Sequence, residues 1–376
     1  MAHINPPFRA DHVGSFLRTA AVTNARNMFQ KGMISKEELT KVEDAEITKL
    51  VAMEKECGLK AVTDGEFRRA YWHLDFITEL DGVDKVGAKS WSTHFQGTQP
   101  KAETAVITGK VGFPADHPFL DAFRRLKKIA GDFPVKFTVP SPSMLYQICV
   151  VRCKDYAPIA QYSGAEGDQK LLSDMAQTWT DCMLALYNEG CRYLQFDDTS
   201  WGEFCSTEKT ALYSSYGRDL KKIEENYVAV LNSILEKKPA DMTVTMHICR
   251  GNFRSTWFSS GGYEPVAELL FGHCNVDGFF LEYDSERAGD FKPLRFIKDQ
   301  TVVLGLITSK FPELEEEEAV KARIREASQY VPLERLCLST QCGFSSTEEG
   351  NRLSHEQQWA KLRLVVKIAR DVWADA

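Results

Sequence analysis

The chain has 376 residues, of which 43% are hydrophobic and 26% charged, so it can bury a substantial core and neither a disordered nor a fibrous class is needed. Its formal charge of −7, with acids and bases interspersed throughout, argues against a nucleic-acid partner. No run approaches the roughly 20 apolar residues of a membrane span, and the opening MAHINPPFRADHVGS lacks a signal peptide's apolar stretch, so a cytoplasmic protein with no membrane partner is expected.

In chain order, residues 1–9 read as an N-terminal extension, followed by a short strand-like ADHVGS (10–15). SKEELTKVEDAEITKLVAMEKE (35–56) predicts a helix that opens on the Ser35/Glu38 capping-box spacing. The β-rich AVTDGE (61–66) comes next. Residues 81–112, rich in Gly, Ser, Thr and Lys, read as an insertion after the second strand, forming a hairpin over the barrel mouth rather than a separate domain. HPFLDAFRRLKKIA (117–130) is helical, VKFTVPSP (135–142) a strand, 173–190 a helix closed by Gly190, and RYLQFDD (192–198) a strand. A helix at 218–238 precedes MTVTMHIC (242–249), DGFFLEY (277–283) and TVVLGLIT (301–308), and a helix at 314–330 precedes RLCLSTQC (335–342).

Strands alternating with helices imply crossovers and a parallel sheet. Eight such units predict one α/β domain over 1–376, a single (β/α)8 TIM barrel. A doubly wound open sheet is the rival, but no G-x-G-x-x-G fingerprint follows any strand. Ser15, Asp64, Glu66, Asp197, His247, Cys249, Glu282 and Cys342 all fall at the ends of their apolar runs, where a barrel keeps its active site.

The ten cysteines are scattered, and free thiols with a metal site fit them better than a disulfide framework. His247 and Cys249 are two residues apart, so on a strand both point to one face. Glu282 and Cys342 end two other runs, and a barrel would bring all four together as a zinc site of nitrogen, sulfur and oxygen donors. Three anionic ligands and one imidazole blunt the metal's Lewis acidity, which favours activation of a thiol for attack on carbon over hydrolysis. Read singly, the two cysteines fit small buried hydrophobes equally well, and Glu282 fits an ion pair with Arg250 or Arg287.

The segments DHVGSF (11–16), TDGEFRR (63–69), LQFDD (194–198), HICRGN (247–252), FFLEYD (279–284), LGLITSK (304–310) and LCLSTQCGFSSTEEGN (336–351) resemble the cobalamin-independent methionine synthase family. The likeness is to its short single-barrel form, which corresponds to the catalytic C-terminal domain of the long enzymes, and it runs from about His12 to Val366. The resemblance implies methyl transfer to the thiol of homocysteine, giving methionine, with Zn2+ on His247, Cys249, Glu282 and Cys342. It also implies that Ser15, Glu66 and Asp197 hold the amino-acid end of homocysteine, as carboxylates suit an ammonium. His12 joins these as a substrate-binding candidate; Arg18, Arg68, Arg250 and Asn252 are secondary candidates for holding the donor.

Two positions depart from the family pattern. Lys310 stands where a histidine serves as proton donor, and a lysine is the weaker acid at neutral pH. The tryptophan that stacks on the folate pterin is replaced by VPSPSM (139–144). 5-Methyltetrahydrofolate is the expected methyl donor, with a corrinoid as the alternative. A related barrel chemistry alkylates coenzyme M, a thiol with no ammonium for Glu66 and Asp197 to bind. The expected partners are small-molecule substrates, and the oligomeric state is left open, a homodimer included.

Overall fold

The computed structural model describes residues 5–87, 95, 99–100 and 103–376. Two strands, β1 (Asp81–Gly87) and β2 (Glu103–Gly112), pair antiparallel. Six more form a parallel sheet in sequence order: β3 (Lys136–Pro140), β4 (Tyr193–Asp198), β5 (Thr243–Ile248), β6 (Gly278–Glu282), β7 (Thr301–Ile307) and β8 (Leu336–Thr340). Nearly every residue of these six is buried, as the near-continuous apolar runs demand when helices cover one face and barrel side chains fill the other. Register places Asp197 beside His247 across β4 and β5, and His247 beside Phe280 across β5 and β6.

The first two units differ from the expected strands. Each makes a single parallel bridge at an edge of the sheet, Ala10 to Leu338 of β8 and Val62 to Val135 just before β3. The cause is local: backbone donors that a ladder would use are taken by side chains, His12 N by Asp11 Oδ1 at 2.8 Å and Thr63 N by Glu54 Oε1 at 3.1 Å. The chain then turns at Gly14 (φ +136°) and Gly65 (φ +63°), where an extended strand ends. The two segments still meet, through Phe16 N to Gly65 O at 3.0 Å and Thr63 Oγ1 to Gly14 O at 2.7 Å. The eight units therefore follow one another in barrel order, with six in the regular ladder.

The helices form where their apolar spacing and caps predict. Lys36–Cys57 carries the full Ser35/Glu38 capping box and stops at Gly58 in the left-handed conformation. Pro118–Ala130 opens with proline at its first position and buries Phe119, Leu120, Phe123 and Leu126 at helical spacing. The remaining predicted helices run over Gly167–Asn188, Leu220–Leu235 and Glu317–Ala327. A further helix, His355–Val372, was not anticipated; it has a Ser354/Gln357 capping box and buries Trp359, Leu362, Val365 and Ile368. Of the 81–112 insertion, residues 88–94, 96–98 and 101–102 lie outside the described residues, while its two ends form the β1–β2 hairpin. Among the described residues no helix is long and apolar enough to cross a membrane.

Candidate metal centre and substrate cleft

His247 lies within β5, Cys249 one residue beyond it, Glu282 at the end of β6 and Cys342 two residues beyond β8. All four are buried, and their donor atoms lie within 4.8 Å of one another. Cys249 Sγ and Cys342 Sγ are 3.7 Å apart. A tetrahedral zinc with Zn–S bonds of about 2.3 Å requires a sulfur–sulfur edge of about 3.8 Å, so the pair is already spaced for it. His247 Nδ1 lies 3.3 Å from the Phe280 carbonyl oxygen, which can only accept, leaving the buried Nε2 without a hydrogen-bond partner among the described residues and available as a ligand. The residues present fit the metal.

The electrostatics of the set agree. Hydrogen bonding between the two thiols raises Cys249 well above the usual thiol range and brings Cys342 well below it. Burial opposes charge on His247, but the Cys342 sulfur, Asp197 and Glu282 outweigh it and hold the imidazole up to about 9. Burial likewise opposes charge on Glu282, yet Arg287 at 3.2 Å, Lys310, His247 and Arg250 keep its carboxyl below the ordinary range. Without metal the constellation thus favours the proton on His247 and, of the two thiols, negative charge on Cys342 over Cys249.

A cleft of about 820 Å3, open solvent included, lies over this centre. Its wall contains Ser15, Glu66, Asp197, His247, Cys249 and Cys342; Glu282 lies off it, beside Arg287. Ser15 Oγ accepts from Ser345 N at 3.2 Å, which leaves its own proton to donate. Glu66 sits at φ +59°, an unusual conformation for a non-glycine residue, steadied by its N–H donating to Asp64 Oδ1 at 2.8 Å. Its Oε1 receives Thr138 Oγ1 at 3.1 Å, while the buried Oε2 has no hydrogen-bond partner among the described residues. Asp197 Oδ1 receives Gln195 Nε2 at 2.6 Å. Burial raises both carboxyls, Asp197 to about 7 even though His247 pulls it down. Arg69 Nη1 already lies 3.4 Å from Glu66 Oε1, so Glu66 Oε2 and the Asp197 carboxylate are the acid groups left to meet a further cation.

Two candidates are placed elsewhere. His12 is not on the cleft wall: its ring packs edge-on against Phe16, and Nε2 lies 3.4 Å from Glu54 Oε1. Lys310 is fully buried off the wall, with Nζ donating to Gly251 O at 3.2 Å, Asn252 Oδ1 at 3.0 Å and Thr256 O at 3.4 Å. All three ammonium protons are committed to the loop after β5, which fits a brace better than an acid. Of the secondary candidates, Arg18 ties together the carbonyls of Phe16, Gly65, Arg69 and Ser345. Arg68 pairs with Glu43 and Asp44, Arg250 packs over the Tyr263 ring, and Asn252 reaches the cleft.

The sequence reading missed the outer half of the cleft, where Trp72, His73, Met144, Arg152, Phe253 and Phe258 stand. Phe95 and Pro100 of the 81–112 insertion also line it, the Phe95 ring centre lying 5.0 Å from that of Phe258. The one signal available was YWH (71–73), a dense aromatic and imidazole cluster directly after the TDGE loop.

A parallel α/β domain whose strand ends gather a His–Cys–Glu–Cys constellation under a polar and aromatic cleft defines a candidate metalloenzyme. The profile of the family described as "Cobalamin-independent synthase, Catalytic domain" matches residues 8–371. Bacillus subtilis YxjH, itself uncharacterised, is 47% identical over 369 residues, covering 98% of this chain and 95% of the relative. A crystal structure from Listeria monocytogenes, provisionally designated a vitamin-B12 independent methionine synthase, is 45% identical with a TM-score of 0.77 and covers 98% of both chains. The fold is shared with a B12-independent methionine synthase of Shewanella sp. W3-18-1, solved in complex with selenomethionine, at 20% identity, TM-score 0.70 and 97% coverage of both chains. The chain belongs to the cobalamin-independent methionine synthase family, in its short single-domain form, and is an enzyme of that family.

Proposed function

We propose that this chain transfers the methyl group of 5-methyltetrahydrofolate to the sulfur of homocysteine, forming methionine, with zinc held by His247, Cys249, Glu282 and Cys342. The observation that carries the reading is the shared wall: three of the four metal-binding residues and the polar trio Ser15, Glu66 and Asp197 line one cleft. When bound there, zinc supplies a centre that stabilises the acceptor sulfur as a thiolate at neutral pH.

The other roles belong to the protein's own side chains. Asp197 and Glu66 take the ammonium of homocysteine, whose arrival favours their ionised forms against the burial that raises them. Ser15 donates its hydroxyl proton to the substrate carboxylate while Ser345 N–H fixes the oxygen. Thr138 and Gln195 orient the two acids. Arg287 steadies Glu282, and Lys310 holds the Asn252 loop at the cleft. His12 takes no direct part in this scheme. Fixing the acceptor at both ends converts the encounter into a near-unimolecular attack on the donor methyl. The sulfur–carbon bond forms as the methyl–N5 bond breaks, and the leaving amine takes up one proton for the one the thiol gave up.

The test is methionine formation, followed by mass spectrometry, from homocysteine with mono- and polyglutamylated 5-methyltetrahydrofolate and methylcobalamin in parallel, with coenzyme M as a competing acceptor. The reading expects methionine from the folate and loss of activity on chelation. Preference for coenzyme M, or activity that survives complete metal removal, would overturn it.

A further inference from the structure

With Lys310 committed to the loop after β5 and no tryptophan in 139–144, recognition of the methyl donor needs other residues, and the outer cleft supplies them. We propose that Arg152 and His73 form the polar edge that recognises the donor, reading the carbonyl and ring-nitrogen edge of a flat heteroaromatic group lying against Trp72 and Phe258. The proposal rests on the function argued above and assigns the donor half of that site.

Arg152 is held from one side. Its Nε donates to both Glu203 oxygens at 3.2 and 3.3 Å, and Nη2 donates to Thr199 Oγ1 at 3.0 Å and to Glu203 Oε1. Glu203, fully buried, also receives Gln147 Nε2 at 3.1 Å and the Tyr213 hydroxyl. Nη1 makes no hydrogen bond among the described residues, although the side chain is only 13% exposed and lines the cleft. A guanidinium fixed by a buried carboxylate has little net charge to offer, but it keeps two aimed N–H groups. That suits a ring carbonyl better than a free anion.

His73 completes the edge. Its ring packs 4.7 Å from that of Trp72 at 41°, and the buried Nδ1 has no hydrogen-bond partner among the described residues. Burial, assisted by the positive Arg152 nearby, pushes its imidazole down to about 3. The two nitrogens of an imidazole point to opposite sides of the ring, so neutral His73 meets a ring edge through one of them, as N–H donor or lone-pair acceptor, beside the Arg152 fork. Phe258 lies under Arg152, 5.7 Å from guanidinium carbon to ring centre, and extends the flat wall. None of the four residues belongs to the metal set or to the trio at the amino-acid end.

The test is equilibrium binding of 5-methyltetrahydrofolate to the zinc-loaded full chain, by calorimetry or quenching of tryptophan fluorescence, for wild type, His73→Phe and Arg152→Lys. His73→Phe keeps the aromatic shape without polar atoms; Arg152→Lys keeps the charge but loses the fork. Each is expected to weaken donor binding by about tenfold or more, with homocysteine binding, measured on the same samples, unchanged within about twofold. Since Arg152→Lys disturbs a buried pair and could misfold, His73→Phe decides alone if the thermal transition of Arg152→Lys is lost. Unchanged donor affinity in the folded variants overturns this inference alone, as does an equal loss of homocysteine binding. A wild-type chain that methylates homocysteine from another donor and does not bind the folate overturns both this inference and the donor proposed above.

Discussion

Replacing Asp197 by asparagine separates the acid's cost to the fold from its use to the substrate. The carboxyl moves from an ordinary 3.8 to about 7 in the folded chain, chiefly through burial. Because the folded value lies above the unfolded one, the native state holds the extra proton between these limits. Stability therefore falls as pH rises from about 4 to about 7 and stays reduced above that window. Three units correspond to about 4 kcal/mol at 1.36 kcal/mol each. With an unfolding entropy of about 2.1 cal/mol/K per residue, that becomes about 5 °C in a chain of 376 residues. Asparagine is neutral at every pH and keeps an oxygen for Gln195 Nε2. The metal-free D197N chain should therefore melt several degrees above wild type at about pH 8, with the difference shrinking towards about pH 4, while its affinity for homocysteine collapses. Differential scanning calorimetry across that range, paired with homocysteine titration, measures both. A variant whose melting temperature tracks wild type at every pH would refute the argument that burial of this acid is maintained against stability.

Three further outcomes are expected. Zinc uptake by the metal-free chain at neutral pH should release about two protons, one each from His247 and Cys249; a pH indicator in weak buffer counts them, and Cys342→Ser should both weaken uptake and lower the count. Gly343→Ala would set a methyl group 2.0 Å from Ser15 Oγ, so the Ser15 loop must shift; KM for homocysteine should rise several-fold, with little change in zinc content. Lys310→Met should lower stability by roughly 1–3 kcal/mol, since it leaves Gly251 O without its donor and takes one of two donors from Asn252 Oδ1 and Thr256 O; a brace predicts that the pH profile of kcat keeps its shape, whereas loss of one limb would restore Lys310 as the acid.

What the sequence made legible follows from how local each signal was. The ends of β5, β6 and β8 could be read because each apolar run stops at a residue unlike those before it, and strand parity alone puts His247 and Cys249 on one face. The first two units read as strands because their composition is strand-like, but Asp11 and Glu54 withdraw backbone donors from the ladder, and Glu54 acts from a helix that sequence spacing does not connect to Thr63. The helix after Ser354 carries two signals of its own, a capping-box spacing and apolar residues three apart at Trp359, Leu362, Val365 and Ile368. Arg152 and His73 were illegible for a different reason. The importance of Arg152 lies in Glu203, 51 residues away, and that of His73 in an Nδ1 with no hydrogen-bond partner among the described residues.

The pairing of Asp197 with His247 across β4 and β5 has a consequence for which thiols can react. Neighbouring strands lie about 4.8 Å apart, so the sheet itself fixes the span between a group that holds an ammonium and a group that helps hold the metal. For the acceptor proposed here, the sheet sets where the two side chains start, and Gln195 and the Phe280 carbonyl hold their ends. An amino thiol with one methylene fewer than homocysteine has the shorter reach from ammonium to sulfur and is the poorer fit to both. Discrimination against cysteine would then rest in part on the sheet register beneath the site.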